Sequence, residues 1–424
     1  MTTTTFERFS RRILAYTLVA ATTLSTLLTL PSTGHAGGYD IPLVNTARYG
    51  GQGGTAIAFV DGGTSLYLNP AGLGRVSVAN VDVAATMLAG QAQGTPTFLS
   101  PDVNVKTERK PLVFPFVSGA VRLTDFMTIG VAAYIVGGAG GEYIYNPNPN
   151  IEDSLEDNTE LVFQESTLGV AFNIDKIGLH IGAGYRVTYG RLVRTRPDAL
   201  TTLDLKLRGV NFEGFRVGLQ WQFNEHVAFG AVYRNKIVVR ASENGGSALR
   251  NDFDYVATDL ILPARTGAGL RFDWGAFGTA FEFEWLFNSQ NGTIILDTEP
   301  ALNVQLQNVF DWSDQYILRW GGEYGIFDDK WPVRLGFVFG STTTSANFPN
   351  AFGPPPSPEY LLTVGTGYNH GPWQISFAYA RAWASKFVEV DTSDFLSECP
   401  NCGGPGQYSL RANHFIFDFS YNWR

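Results

Sequence analysis

The chain is nearly devoid of cysteine: Cys399 and Cys402, three apart in "ECPNCGG", are the two in 424 residues. That excludes a disulfide-stapled scaffold and a four-thiolate zinc site. In an exported chain the pair reads as a local disulfide in a loop, because a redox pair would want a helix start that this segment lacks. Histidine is equally sparse, and His180, His226, His370 and His414 fall on separate strands or turns. No Gly-x-Ser-x-Gly elbow accompanies them, so the sequence reads as a non-enzyme that requires neither metal nor cofactor. A basic cluster is also missing. With 39 acidic and 30 basic residues the net charge is −9, which argues against nucleic acid. Past residue 30 there is no run of 18 apolar residues, hence no expected spanning helix.

What is present begins with Arg8, Arg11 and Arg12, then an apolar, threonine-rich stretch over 13–30 that Pro31 breaks. Gly34 and Ala36 are the small residues that a signal peptidase reads, so 1–36 is expected to be a secretory signal cleaved after Ala36. The alternative is a retained membrane anchor. Glycine is abundant, at 47 residues, and aromatics make up 14% of the chain.

From about Ser77 the apolar pattern has period two. In "IGLHIGAGYRVT" Ile177, Leu179, Ile181, Ala183 and Tyr185 share one face, while His180, Gly182, Gly184 and Arg186 share the other. "FRVGLQWQF", "TAFEFEWLF" and "HFIFDFSYNW" repeat that alternation, which is the signature of strands with one apolar and one polar face. Six tight connections are expected, at Thr124-Asp125, Asp175-Lys176, Asn224-Glu225, 273–275, 328–330 and 369–371. They alternate with seven long ones, near 89–109, 138–160, 190–201, 241–258, 289–312, 342–358 and 382–409. Thirteen connections imply fourteen strands. An even count, with short turns at one end and long loops at the other, is the plan of an outer-membrane β-barrel. A soluble β-sandwich would also alternate, but it has no reason to keep long and short connections in strict order or to place Trp221, Trp285, Trp320, Trp373 and Trp423 near strand ends. The chain closes inside an aromatic strand, although the terminal residue is Arg424 and not itself aromatic.

Five stretches then carry a resemblance. "ARYGGQGGTAIAFVDGGTSLYLNPAGLGRV", "EGFRVGLQWQFNEHVAFGAVYRNKI", "LILPARTGAGLRFDWGAFGTAFEFEW", "WSDQYILRWGGEYGIFDDKWPVRLGFVFG" and "YLLTVGTGYNHGPWQISFAYARAW" occur in the order seen in the FadL/TodX-type outer-membrane transporters. The chain resembles that family over nearly the whole of its exported part, though Glu284 stands where a more neutral residue is usual. The resemblance implies passive uptake of long-chain fatty acids or aromatic hydrocarbons through a barrel at 76–424. It also implies a plug, or hatch, at 37–75, fixed to the wall by the turn Asn69, Pro70, Ala71. Physical chemistry agrees with the turn: Pro70 pushes Asn69 toward extended backbone, and an Asn side chain readily satisfies neighbouring backbone groups.

If the apolar faces meet lipid, the opposite faces line the lumen. That places Arg122, Arg186, Arg216, Arg234, Lys236, Arg265, Arg271, Arg319 and Arg334 inside, with Asp82, Glu165, Glu282, Glu284, Glu323 and Asp418. Such charges are expected to pair with one another and with the plug, and a subset could instead meet a substrate carboxylate. Phe114, Phe116, Tyr134, Val136 and Phe163 also fall on the inward face near the loop ends. They are candidates for an apolar ligand pocket, or equally for packing against the plug. Gly137 and Gly138 open the run "GGAGG", expected to end the third strand. In the resembled family an interruption of that strand opens a side window toward the bilayer, so these glycines are the lateral-opening candidates. The expected partners are a hydrophobic small molecule, outer-membrane lipids including lipopolysaccharide, and the barrel-assembly machinery, with the protein itself a monomer in the outer membrane. The alternative is a structural or secretion-accessory docking role for the same barrel, which a lumen packed solid would favour.

Overall fold

The computed structural model describes residues 46–96, 103–146, 154–196, 203–248, 251–299, 307–389 and 403–423. The expected signal peptide and both cysteines lie outside the described residues. Fourteen staves make up the wall: β1 (Ala79–Gly94), β2 (Leu112–Thr124), β3 (Met127–Tyr145), β4 (Leu155–Ile174), β5 (Leu179–Arg196), β6 (Leu203–Gln222), β7 (Val227–Arg234 and Ile237–Asn244), β8 (Tyr255–Leu262 and Arg265–Trp274), β9 (Phe277–Leu286), β10 (Gln315–Ile326), β11 (Trp331–Gly340), β12 (Glu359–His370), β13 (Trp373–Val388) and β14 (Gly406–Trp423). Each pairs antiparallel with the next. The barrel closes where β1 meets β14, from Ala79 opposite Trp423 to Gln93 opposite Ser409. Closure removes the sheet edges, which in lipid would leave backbone groups without partners.

The alternation sorts the side chains as read. Val83, Ile181, Phe215, Phe281, Leu318 and Phe417 are exposed on the outer wall, while Arg186, Arg216, Glu282 and Arg319 are buried within. Aromatic pairs mark the two ends of the apolar band, with Trp373 against Tyr421 near the short turns and Tyr360 stacked on Trp383 near the long loops. Trp320 stands apart: it lies midway along β10, its indole N–H donating to Thr279 at 3.1 Å.

Several staves run well past the ends that the sequence pattern gave them. β3 continues to Tyr145 through the glycine run, and β5 continues to Arg196. The reason is visible on β6. Its lower outward residues are Phe215, Val217 and Trp221, whereas its upper ones are Asp204, Lys206 and Arg208. Above the bilayer the outward face meets water and turns polar while Leu203, Leu205 and Leu207 stay buried on the inward one, so hydrogen bonding persists after the lipid-facing apolar series has ended.

Residues 46–75 occupy the lumen. A short helix at Ala47–Gly50 contacts β12 to β14, and another at Ser65–Leu68 with a 3-10 turn at Pro70–Arg75 contacts β3 to β6. Space for them comes from inward glycines. The Cβ that any other residue would add at Gly182 would run into the Pro70–Ala71 backbone, and at Gly218 into the Asn69 carboxamide.

Candidate functional site

Three layers fill the barrel from the short-turn end upward, and each is built from inward positions of the staves. The lowest is the N-terminal segment itself. Asn69 is fully buried, and its side-chain N–H groups donate to the carbonyls of Ile57 (2.7 Å), Leu219 (2.9 Å) and Ala231 (3.3 Å), while its Oδ1 accepts from Ala71 N–H. Two of those carbonyls belong to the wall, so this one residue ties the turn to β6 and β7. Asp82 of β1 accepts from the backbone and hydroxyl of Thr64, and Asp418 of β14 accepts from the backbone N–H of Arg48 at 2.8 Å. Burial pushes the Tyr49 phenol well above its usual range, against the pull of neighbouring Arg48. It therefore stays neutral and donates to Asp61 at 3.1 Å.

The middle layer is ionic. Glu165 is fully buried with Arg186, whose Nε donates to it at 2.9 Å; Arg216 lies 3.8 Å away, and the Tyr134 hydroxyl donates to the same carboxylate at 3.0 Å. Arg216 also donates to the Leu66 carbonyl of the N-terminal segment. Glu284 takes Arg265 and, at 3.1 Å, Arg319, and Arg319 reaches on to the carbonyl of Gly53 at 2.9 Å. Glu282 spends its carboxylate on the backbone N–H groups of Ala56 and Ile57. Arg271 pairs with Asp273 and donates to Gln52 at 3.0 Å, and Arg234 donates to the carbonyl of Pro263 at 2.9 Å. These side chains bind wall to wall and wall to segment, as charges sheltered from lipid must.

Two residues read as lumen charges lie elsewhere. Arg122 sits at the rim, donating to the carbonyl of Asp125 in the first short turn. Lys236 is exposed, a correction to the sequence reading. In β7 the inward positions are Ala228, Val232 and Arg234 up to the break, then Ile237, Val239 and Ala241 beyond it. The two-residue interruption at 235–236 switches parity, and a strict period of two carried across it puts Lys236 on the wrong face.

The upper layer is apolar. Phe116, Tyr134, Val136 and Phe163 are all buried and belong to one cluster, which begins on Leu66 and Tyr67 of the N-terminal segment. Tyr67 meets Tyr134 edge-on at 4.8 Å, and Phe116 stacks on Tyr134 at 5.8 Å. The same cluster continues up to Phe310 and Trp312 of the long loop between β9 and β10. Phe114 is buried in a separate cluster with Ile135, Leu286 and Ile317. Open space lies above the aromatic floor: a cavity of about 130 Å³ lined chiefly by Ala139, Leu161, Leu192, Leu205, Leu260 and Trp312. None of those six was singled out in the sequence. Leu205 and Leu192 did lie next to, or inside, stretches read as loop, and Trp312 sits in a long connection whose fold back over the mouth no local pattern announces.

The third stave is irregular where the glycines fall. A register shift between Ile135 and Gly137 makes Val136 a bulge, and the β2–β3 ladder ends at Phe116 opposite Tyr134, although both staves go on. Gly137 and Gly138 thus lie within β3, not at its end. They pair with β4 on one side and have no ladder partner in β2 on the other. A Cβ at Gly138 would come within 2.5 Å of the Leu161 carbonyl.

A closed fourteen-stave barrel with a chain segment lodged in its lumen and an apolar cavity at its loop end has the build of an outer-membrane transport protein. The sequence matches the family described as outer membrane protein transport protein (OMPP1/FadL/TodX) over residues 27–423, and the chain belongs to it. The fold is shared with a FadL homologue of Pseudomonas aeruginosa, at TM-score 0.74 and 15% identity, covering 92% of this chain and 100% of that one. It is likewise shared with the Pseudomonas putida toluene transporter TodX, at 0.68 and 15%, covering 93% and 99%, and with the Ralstonia pickettii toluene transporter TbuX, at 0.65 and 15%, covering 89% and 98%. No curated protein matches the sequence.

Proposed function

We propose that this protein admits an apolar small molecule, a long-chain fatty acid or an aromatic hydrocarbon, from outside the outer membrane without energy input. The observation that carries the reading is the apolar cavity at the loop end of a lumen whose lower part holds charge pairs and residues 46–75. A cavity of about 150 Å³ lined by aliphatic and aromatic side chains holds a benzene ring. For a longer guest, each methylene taken from water contributes about 0.8 kcal/mol. Such a cavity favours transport over the docking alternative, which has no use for an apolar space in the mouth. In this reading residues 37–75 are the plug that closes the route straight through, and 1–36 is removed on export.

The test is uptake of labelled oleate and labelled toluene by cells that lack their own carriers. The parent protein is expected to accelerate one of the two. Ala139→Trp fills the cavity with a side chain of nearly its own volume and should bring that uptake down to the level of cells without the protein. If neither compound enters faster with the parent, the reading fails.

Release would be sideways, through the wall at β3. Supporting this are the bulge at Val136, the ladder to β2 that stops at Tyr134, and Ala139 of the cavity lying one residue beyond Gly138. Gly138→Val would press on the Leu161 carbonyl and should lower uptake at least tenfold while leaving capture of the compound by the purified protein intact; unchanged uptake would remove lateral release from the account.

A further inference from the structure

The outer wall carries a basic cleft that neither the lumen nor the cavity uses. On β13 and β14 the outward residues pair, going upward, as Trp373 with Tyr421, Ile375 with Phe419, Phe377 with Phe417 and Tyr379 with Phe415. The next two pairs break the apolar series: Arg381 with Asn413, then Trp383 with Arg411. Eight residues separate Trp373 from Arg381 and ten separate Tyr421 from Arg411. At ~3.3 Å per residue and a tilt near 40°, the arginines stand roughly 20–25 Å above the lower aromatic pair, the height of the apolar band of such barrels. Both side chains therefore leave the wall where acyl chains give way to headgroups on the loop side.

Three more cations reach the same place from the connection that precedes β2. Lys106, Arg109 and Lys110 join Arg381 and Arg411 around a cleft of about 480 Å³ on the wall of β1, β13 and β14. Glu142 takes Lys110. Lys106, Arg109, Arg381 and Arg411 have no carboxylate within ion-pair distance among the described residues. What holds them is uncharged: Arg109 donates to the Gln91 amide oxygen at 3.2 Å, and Arg381 donates to that of Asn413 at 2.7 Å, which the Tyr379 hydroxyl also engages at 2.9 Å. Amide acceptors orient a guanidinium without neutralising it. Glu108, near in sequence, is exposed and does not line the cleft. Four cations on one wall with no carboxylate in ion-pair reach among the described residues are out of keeping with a chain of net charge −9.

From this we infer that the cleft binds the phosphorylated sugar headgroup of an outer-leaflet glycolipid, with Arg381, Arg411, Lys106 and Arg109 on its phosphates and the acyl chains lying along the Phe415–Phe417 face below. Guanidinium groups suit phosphate because their forked donors meet two oxygens at once. The continuity of the cleft with the lipid-facing wall selects a lipid over a soluble anion. The bound glycolipid would hold the barrel at a fixed depth and cover the β1–β14 closure from outside.

The experiment is native mass spectrometry of the full chain in mild detergent, with purified lipid A as probe. One lipid A per chain is expected, lost as salt is raised, because exposed charges are screened. Arg381→Gln with Arg411→Gln should weaken retention by at least about tenfold, the loss of two charge-assisted contacts. Arg411→Lys, which keeps the charge, should retain it. So should Arg240→Gln, at an outward arginine that Asp259 and Asp297 already engage. Heat-dependent gel mobility confirms that each variant is folded. Lipid A stripped of its phosphates should not be retained. Three results would overturn the inference: equal retention of phosphatidylglycerol, displacement of lipid A by an equal concentration of inorganic phosphate, or undiminished binding by the double variant.

Discussion

Glu165→Leu is expected to destabilise the barrel by about 5 kcal/mol, more than any other single change in the wall, because it strands two cations at once. Arg186 is fully enclosed and Arg216 is 3% exposed, and both lean on this carboxylate. Without it they repel each other, and the partners left to them, such as the carbonyls of Phe215, Asn235 and Leu66, are uncharged. Arg186→Met should cost less, nearer 3 kcal/mol, since Glu165 would keep Arg216 and the Tyr134 hydroxyl. The pair Glu165→Leu with Arg186→Met removes both buried charges in comparable volume and should be milder than the sum of the singles, although Arg216 remains. Urea unfolding in lipid vesicles, followed by tryptophan fluorescence and gel mobility, gives the three values. Additive costs would mean that the two residues act separately and that the ionic layer is not a unit.

Gly182→Leu combined with Gly218→Leu is expected to expel the N-terminal segment while leaving the wall closed. Neither side chain weakens a strand, as glycine is itself a poor strand residue, but both point inward onto the turn at 69–71. The segment cannot yield locally. Asn69 is held by carbonyls on two sides, and each lost hydrogen bond there costs about 1 kcal/mol. Planar-bilayer recording should find the parent closed to ions and the double variant conducting, with protease cleavage newly admitted within 46–75. Asn69→Ala should give brief openings of the same size. A double variant that conducts no better than the parent, with the segment still protected, would show that these residues do not plug the barrel.

Much of this architecture was legible in the chain. A period of two, held across fourteen segments between alternating short and long connections, dictates a closed antiparallel barrel, because side-chain direction in a strand depends only on parity. The same parity named the inward charges Arg186, Arg216, Glu282 and Glu284, and the inward glycines that admit the segment. It broke down in three kinds of place. At 235–236 the register switches, and nothing local in "YRNKI" reveals that Ile237 turns inward. Above the bilayer, both faces of β3, β5 and β6 are wet or packed, so the strands outlast their pattern. At the mouth, Trp312 from one loop, Phe352 from another and Leu161, Leu205 and Leu260 from three staves converge on one cavity. Parity is a local property, and backbone hydrogen bonding makes it enforceable residue by residue; convergence is set by where long connections come to rest on the finished wall. The sequence alone thus determined the barrel and its inner and outer faces, while the tertiary structure decided the lodging of residues 46–75 in the lumen, the cavity, the break beside Gly138 and the cluster of outward cations.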